Sequence, residues 1–175
     1  MEIKKRNKWS KQSGSSLIEL MIACLVLMVG VLGVAALIPI AIGANSRNRQ
    51  QSNSTVIAQM VMEKILSVPA GAPGVLNISD CTPTAFTINT TGVGAPLLAS
   101  GDVSFAGAAP AGYGMLYVAC GPAGGQSTYD VRWNIQSPSI YVKLVTVSAK
   151  LRGSGSDLKY LSLPVTIRSM AGQGS

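Results

Sequence analysis

The sequence predicts an α+β protein, with one long N-terminal helix laid against a C-terminal antiparallel sheet of about four strands. Three observations carry this. No charged side chain occurs from Leu20 to Ile42, and as a helix rising about 1.5 Å per residue that stretch covers roughly the 30 Å of a bilayer core. Apolar residues then recur every four positions at Ile57, Val61 and Ile65, with Val56 and Met60 beside them, the stripe of a helix lying on a surface. After Met115 the period changes to two. Tyr129, Val131, Trp133 and Ile135 alternate with Asp130, Arg132 and Asn134, which predicts strands with one packed and one wet face. A helix and a sheet with one apolar face each bury them most simply against one another.

Residues 1–14 read as a leader rather than as part of the fold. Five basic residues (Lys4, Lys5, Arg6, Lys8, Lys11) stand against one acid, Glu2, and account for more than half of the chain's formal net charge of +7. Positive charge just before an apolar span keeps that end cytoplasmic and sends the remainder outward. Arg47 and Arg49 follow the span and weaken this asymmetry without reversing it. The span is too long for the apolar middle of an ordinary secretory signal, which runs about 7–15 residues. A plain single-span anchor and a processed membrane helix both remain.

The helix is expected over 15–67, with the transmembrane part at about 20–42. The helix begins near Ser15 or Ser16, with Ser15, followed by Glu19, as its N-cap. Gly30 and Gly33 offer close approach to another helix. Pro39 removes one backbone hydrogen bond and is expected to kink the helix near Ala35 and Ala36. The polar run from Gly43 to Ser54 leaves room for a break near 43–48. Pro69, Gly71, Pro73 and Gly74 end the helix. The exported globular part, 68–175, divides into a loop-rich stretch at 68–114 and a sheet at 115–169. In the loop-rich part, short strands are expected at Thr84–Asn89 and Val103–Phe105. In the sheet they are expected at Met115–Cys120, through Tyr129–Ile135, at Tyr141–Leu151, and from Leu161 to Ile167, where Pro164 points to an edge. Arg152–Asp157 reads as a turn between the last two strands.

There are three cysteines and no histidine. Cys24 falls inside the apolar helix, as a small lipid- or helix-facing residue. Cys81 and Cys120 lie in the exported part, where an even pair forms a disulfide; the alternative is two buried thiols. Without histidine there is no Ser-His-Asp or Cys-His nucleophile pair, and the cysteines lack zinc-site spacing. Asp80, Asp102, Asp130 and Asp157 are scattered singly and read as loop-solvating residues. One carboxylate at Asp157 falls far short of a calcium site, and Gly121–Gly125 lacks the Lys-Ser/Thr of a phosphate loop. Lys143, Lys150, Arg152 and Lys159 read as a solvated strand face rather than a nucleic-acid patch, because they form no dense cluster. No enzyme activity, metal or cofactor is expected.

The N-terminus resembles the class III signal of type IV pilins and pseudopilins. The residues that carry this are Gly14, the Leu17-Ile18-Glu19-Leu20 core, and Glu19 as the fifth residue after the glycine. Ser15 stands where the family usually has Phe. The run Leu25 to Leu37 and the strand Tyr129 to Ile135 look like the PilV-type branch of minor pilins, sometimes called type IV pilus modification proteins. The resemblance implies cutting by a prepilin peptidase between Gly14 and Ser15, N-methylation at Ser15, and a role for Glu19 in setting register by pairing with an N-terminal amine. It implies other pilin subunits, the inner-membrane assembly platform and inner-membrane lipid as partners. The implied location is the bacterial inner membrane, with the C-terminus periplasmic, and then the pilus. A minor pseudopilin of a type II secretion system is the alternative within the superfamily. A membrane-anchored binding or adhesion module is the alternative outside it.

Overall fold

The computed structural model describes residues 16–70, 74–121, 124–153 and 163–172. Gly14, Ser15, Lys159, Asp157 and Leu161, with the latter part of the expected 152–157 turn, lie outside them. Helix α1 (Leu17–Leu66) is followed by β1 (Val75–Ser79), β2 (Ala85–Asn89), β3 (Gly114–Cys120), β4 (Gln126–Ser139), β5 (Val142–Leu151) and β6 (Val165–Gly172). The expected α+β class holds: one long N-terminal helix, with antiparallel sheets after it.

The chain divides into two compact units, residues 1–45 and 46–175. In the first, every described residue of α1 is exposed. The helix continues through Pro39 and through 43–48, so no break occurs at the polar run. Pro39 has no N–H to offer the carbonyl four residues back, and a helix this long tolerates that single loss.

In the second unit, α1 presents Ile57, Ala58, Val61, Met62 and Ile65 to the core, while Val56 on the adjoining face is 60% exposed. Against this stripe the antiparallel sheet β3-β4-β5-β6 contributes Tyr129, Val131, Trp133 and Ile135 from β4 and Val145, Val147, Ala149 and Leu151 from β5. The register sets Val131 opposite Ala149 and Trp133 opposite Val147. The expected strand alternation thus selects the helix-facing side.

On the two central strands the other side of the sheet is not wet, contrary to expectation. Arg132 and Asn134 of β4 and Thr146 and Ser148 of β5 are all buried. The segment after β2 crosses this side and is tied to it by polar bonds. Asn134 Nδ2 donates to the carbonyl of Ala95 at 2.9 Å, and Arg132 Nη1 donates to the carbonyls of Ser104 at 3.3 Å and Gly107 at 2.9 Å. The N–H groups of Val93 and Ala95 also donate to the carbonyls of Ile135 and Trp133, extending the pairing of β4 beyond the end of β3. Gly94 is needed between them, because a Cβ there would stand 2.5 Å from the Trp133 carbonyl oxygen.

Three further expectations need correction. The Val103–Phe105 strand is only an isolated bridge, Leu97 to Val103, because the residue opposite Ser104 is Pro96, which accepts from the Ser104 N–H but has no N–H to return to the Ser104 carbonyl. A strand not expected, β1, pairs with β2 as a hairpin that buries Ile78 and Ile88. The last strand begins at Val165, after Pro164, and extends to Gly172 on the edge of the sheet.

Lys143 is the largest departure from the expected solvated strand face. It is 2% exposed, and its ammonium donates to the carbonyl of Ile65 at 2.5 Å and to that of Val68. The last carbonyls of a helix have no intrahelical partner, and that end of the helix dipole favours a cation. Burial pushes the Lys143 pKa below its ordinary value. Lys143→Met keeps the apolar stem but takes the ammonium from both carbonyls, leaving that of Ile65 only the long bond from the Val68 N–H at 3.4 Å. It is expected to cost about 1–3 kcal/mol, read as a lower urea midpoint for the full chain in detergent. An unchanged midpoint would show that water serves those carbonyls equally well.

Candidate functional site: the apolar N-terminal helix

The surface most in need of a partner is the first part of α1. Leu17, Leu20, Leu25, Leu27, Leu32 and Ile40 are each more than 60% exposed. A single apolar side chain left in water forgoes about 1.5–3 kcal/mol of burial, so a turn-by-turn apolar surface of this length is stable only in lipid or against other apolar helices. It is also long and apolar enough to cross a membrane, with none of its most apolar window buried. The helix begins at its polar end, where the N–H groups of Glu19 and Leu20 donate to the carbonyl of Ser16 at 2.9 and 3.2 Å. Glu19 therefore sits in the first turn, where the helix dipole favours a negative charge. Gly30 and Gly33 lie on open surface, with nothing within 4 Å of a Cβ built at either. Cys24 is a free, exposed cysteine on the same helix.

The remaining sequence-derived residues lie elsewhere and form a clamp. Cys81 and Cys120 are bonded, with their Cα atoms 5.9 Å apart, joining the β1–β2 turn to the end of β3. Beside the bond Asp80 is 9% exposed. It accepts from the Thr82 N–H and hydroxyl, the Thr84 N–H, and the Val118 N–H of β3. Burial raises its carboxyl pKa, but these donors outweigh that and hold it below the ordinary 3.8. A carboxyl depressed by folding contributes stability above its unfolded value, and that stability is lost as pH falls through the folded value. The urea midpoint of the wild type is therefore expected to fall more steeply below pH 4 than that of Asp80→Asn. Parallel acid limbs would show that Asp80 is not the group responsible.

Asp130 and Asp102 are also committed rather than loop-solvating. Asp130 holds Arg132 through two hydrogen bonds of 2.8 and 2.9 Å, and Asp102 meets Arg168 at 3.3 Å. A cavity of about 740 Å³ lies between Phe86, Phe105, Met115, Lys150 and Arg152. Arg132 reaches it with its guanidinium 4.9 Å from the centre of the Phe105 ring, but four of its five N–H donors are engaged by Asp130 and two carbonyls. Among the described residues no group of three or more His, Cys, Asp or Glu is placed to hold a metal. Sequence reading missed how the Asp80 and Arg132 clusters tie the fold together because the distant partners, Val118 for Asp80 and Ser104 and Gly107 for Arg132, lie 25–38 residues away. The Thr82 and Thr84 bonds of Asp80 are local and were a signal that it anchors a turn.

Residues 9–35 match a family model described as the prokaryotic N-terminal methylation motif. No curated protein and no solved structure matches the chain. Among the described residues the match covers 16–35, which takes in about the first two thirds of the apolar stretch. Together the motif and the long apolar helix support a type IV pilin-like protein anchored in a membrane by α1.

Proposed function

We propose that the chain is a minor subunit of a type IV pilus, of the PilV-type branch, acting as a structural and assembly component rather than an enzyme. It enters the inner membrane with its leader cytoplasmic. Prepilin peptidase cuts it between Gly14 and Ser15, and Ser15 is methylated. The assembly platform then draws it out of the bilayer into the filament beside other pilin subunits. The observation that carries this reading is the methylation motif at residues 9–35 overlapping the first part of α1, whose apolar residues from Leu17 to Ile42 are all exposed. In lipid that surface meets acyl chains, and in a filament it meets equivalent helices. The exchange costs little because both surroundings are apolar. Gly30 and Gly33 leave room for a neighbouring helix to approach, and Glu19 sets register by pairing with an N-terminal amine.

The test is the intact mass of the protein from cells with and without the prepilin peptidase. A peptidase-dependent loss of residues 1–14, with or without one added methyl group, is expected. A chain that keeps all five leader charges in both strains would leave only a single-span anchor, and the filament reading would fall.

A further inference from the structure

Along β5 the even-numbered residues face away from the helix, and their cover ends partway. Thr146 and Ser148 are buried, whereas Lys150 is half-buried and Arg152 is exposed. The Arg152 N–H donates to the carbonyl of Thr128 at 2.8 Å. The backbone therefore keeps the line of the strand, and side chains two residues apart stay on one face. The cavity of about 740 Å³ opens at this end of the sheet. Phe86, Phe105, Met115 and Leu116 give it apolar walls, and Lys150 and Arg152 line it from β5 and the residue just after.

The charges in this cavity do not balance. Asp130 and Arg132 also line it. Asp130 stands opposite Lys150 in the β4–β5 register, the position from which a carboxylate ordinarily holds a cross-strand lysine. It gives both oxygens to Arg132 instead, at 2.8 and 2.9 Å. The Lys150 ammonium lies over Phe105, 5.9 Å from the ring centre, near the outer limit of a cation–π contact. Its N–H donors are not spent there. Among the described residues no carboxylate forms an ion pair with Lys150 or Arg152. Two positive charges thus stand beside an aromatic and aliphatic wall. Water satisfies the charges but not the wall, whereas an anion with an apolar body satisfies both.

We infer that this cavity binds a small organic acid, a carboxylate carried on an aromatic or branched apolar body. Its volume falls within the roughly 300–1,000 Å³ of small-molecule sites, which combine apolar walls with a few placed polar groups. Lys150 and Arg152 stand about 7 Å apart along the strand, and their long side chains converge on one carboxylate. The planar guanidinium offers a paired donor edge to two oxygens, and the ammonium adds a point charge. The apolar body lies against Phe86, Phe105 and Leu116. Arg132 is a positioning residue: by holding Asp130 it keeps that carboxylate from neutralising Lys150. The site lies wholly within the unit formed by residues 46–175, and the inference stands whether or not the leader is cut.

The experiment uses the full chain in micelles of an uncharged maltoside detergent. The probe is para-fluorophenylbutanoate, and its primary amide is the neutral counterpart. Broadening of the fluorine NMR line beyond that in empty micelles reads binding. Wild type is expected to bind the acid about tenfold more tightly than the amide. Lys150→Gln and Arg152→Gln are each expected to weaken the acid by about tenfold, the lower end for a hydrogen bond to a charged group, and to leave the amide unchanged. Arg49 is exposed and does not line the cavity, so Arg49→Gln is expected to bind like wild type. Leu116→Trp fills the cavity from a side chain that is 41% exposed, and is expected to abolish binding of both probes. Equal affinity for acid and amide, or an equal loss in Arg49→Gln, would reduce the two charges to general attraction and overturn the site. Full binding to Leu116→Trp would place the probe elsewhere and overturn it too. Broadening of the acid no greater than in empty micelles would do the same.

Discussion

Glu19→Ala is expected to deplete the protein from sheared pili by about tenfold or more while leaving its membrane level and its peptidase cut unchanged. On the proposed reading, the amine created at Ser15 enters an apolar filament core, where a lone charge is costly. Glu19 lies four residues along, roughly one helical turn of about 5.4 Å, and so stands within reach of its own amine or a neighbour's. Removing one partner of a buried ion pair costs about 3–5 kcal/mol, because the other charge is left without compensation. Even a third of that cost would shift incorporation about tenfold, since 1.4 kcal/mol is a factor of ten in an equilibrium. Quantitative mass spectrometry of sheared pili and of membranes from the same cells makes the measurement. Equal incorporation of variant and wild type would remove the register role. Loss of the leader cut in the variant would place Glu19 in peptidase recognition instead.

Much of the fold was legible because each of its main elements has a period of its own. The four-residue recurrence of Ile57, Val61 and Ile65 marked the buried face of α1, and the alternation from Tyr129 to Ile135 marked the helix-facing side of β4. What was illegible depends on partners far along the chain. Arg132 and Asn134 occupy the positions of a wet strand face, and only the arrival of residues 95–107 buries them. Lys143 stood in the same alternating row as Val145, Val147 and Ala149. That row was the available sign that its stem points into the core, but its charge argued for solvent until the end of α1 supplied carbonyls. The β1 strand was hidden by the Pro- and Gly-rich text before it, although Leu76 and Ile78 already had the spacing of a half-buried strand. The candidate site divides in the same way. The apolar stretch and Glu19 are local features and were readable. The ties that Asp80 and Arg132 make were not, because Val118, Ser104 and Gly107 lie 25–38 positions away from them.

The double variant Cys81→Ser, Cys120→Ser is expected to lose about 3–4 kcal/mol of stability, from the unfolded-chain entropy restored when a link across 39 residues is cut. Two local interactions oppose complete release of the hairpin. Asp80 still accepts from the Val118 N–H at 3.3 Å, and the Cys81 N–H faces the Val118 carbonyl at 3.5 Å. Both bonds are long, and hydrogen bonds of this kind contribute only about 0.5–1.5 kcal/mol each. Ile78 and Ile88 hold the hairpin more firmly, since both are buried in the main core and each is worth about 1.5–3 kcal/mol. The β1–β2 hairpin should therefore stay docked but open locally, well before the sheet. Hydrogen exchange is expected to rise first in Val75–Asn89 and at Cys120, while the central strands β4 and β5 keep their protection. Uniform loss of protection would show that the bond supports the whole sheet rather than one hairpin. A double variant within 1 kcal/mol of wild type would show that the two isoleucines and Asp80 suffice, and would limit the disulfide's role to the rate at which the loop-rich segment closes during folding.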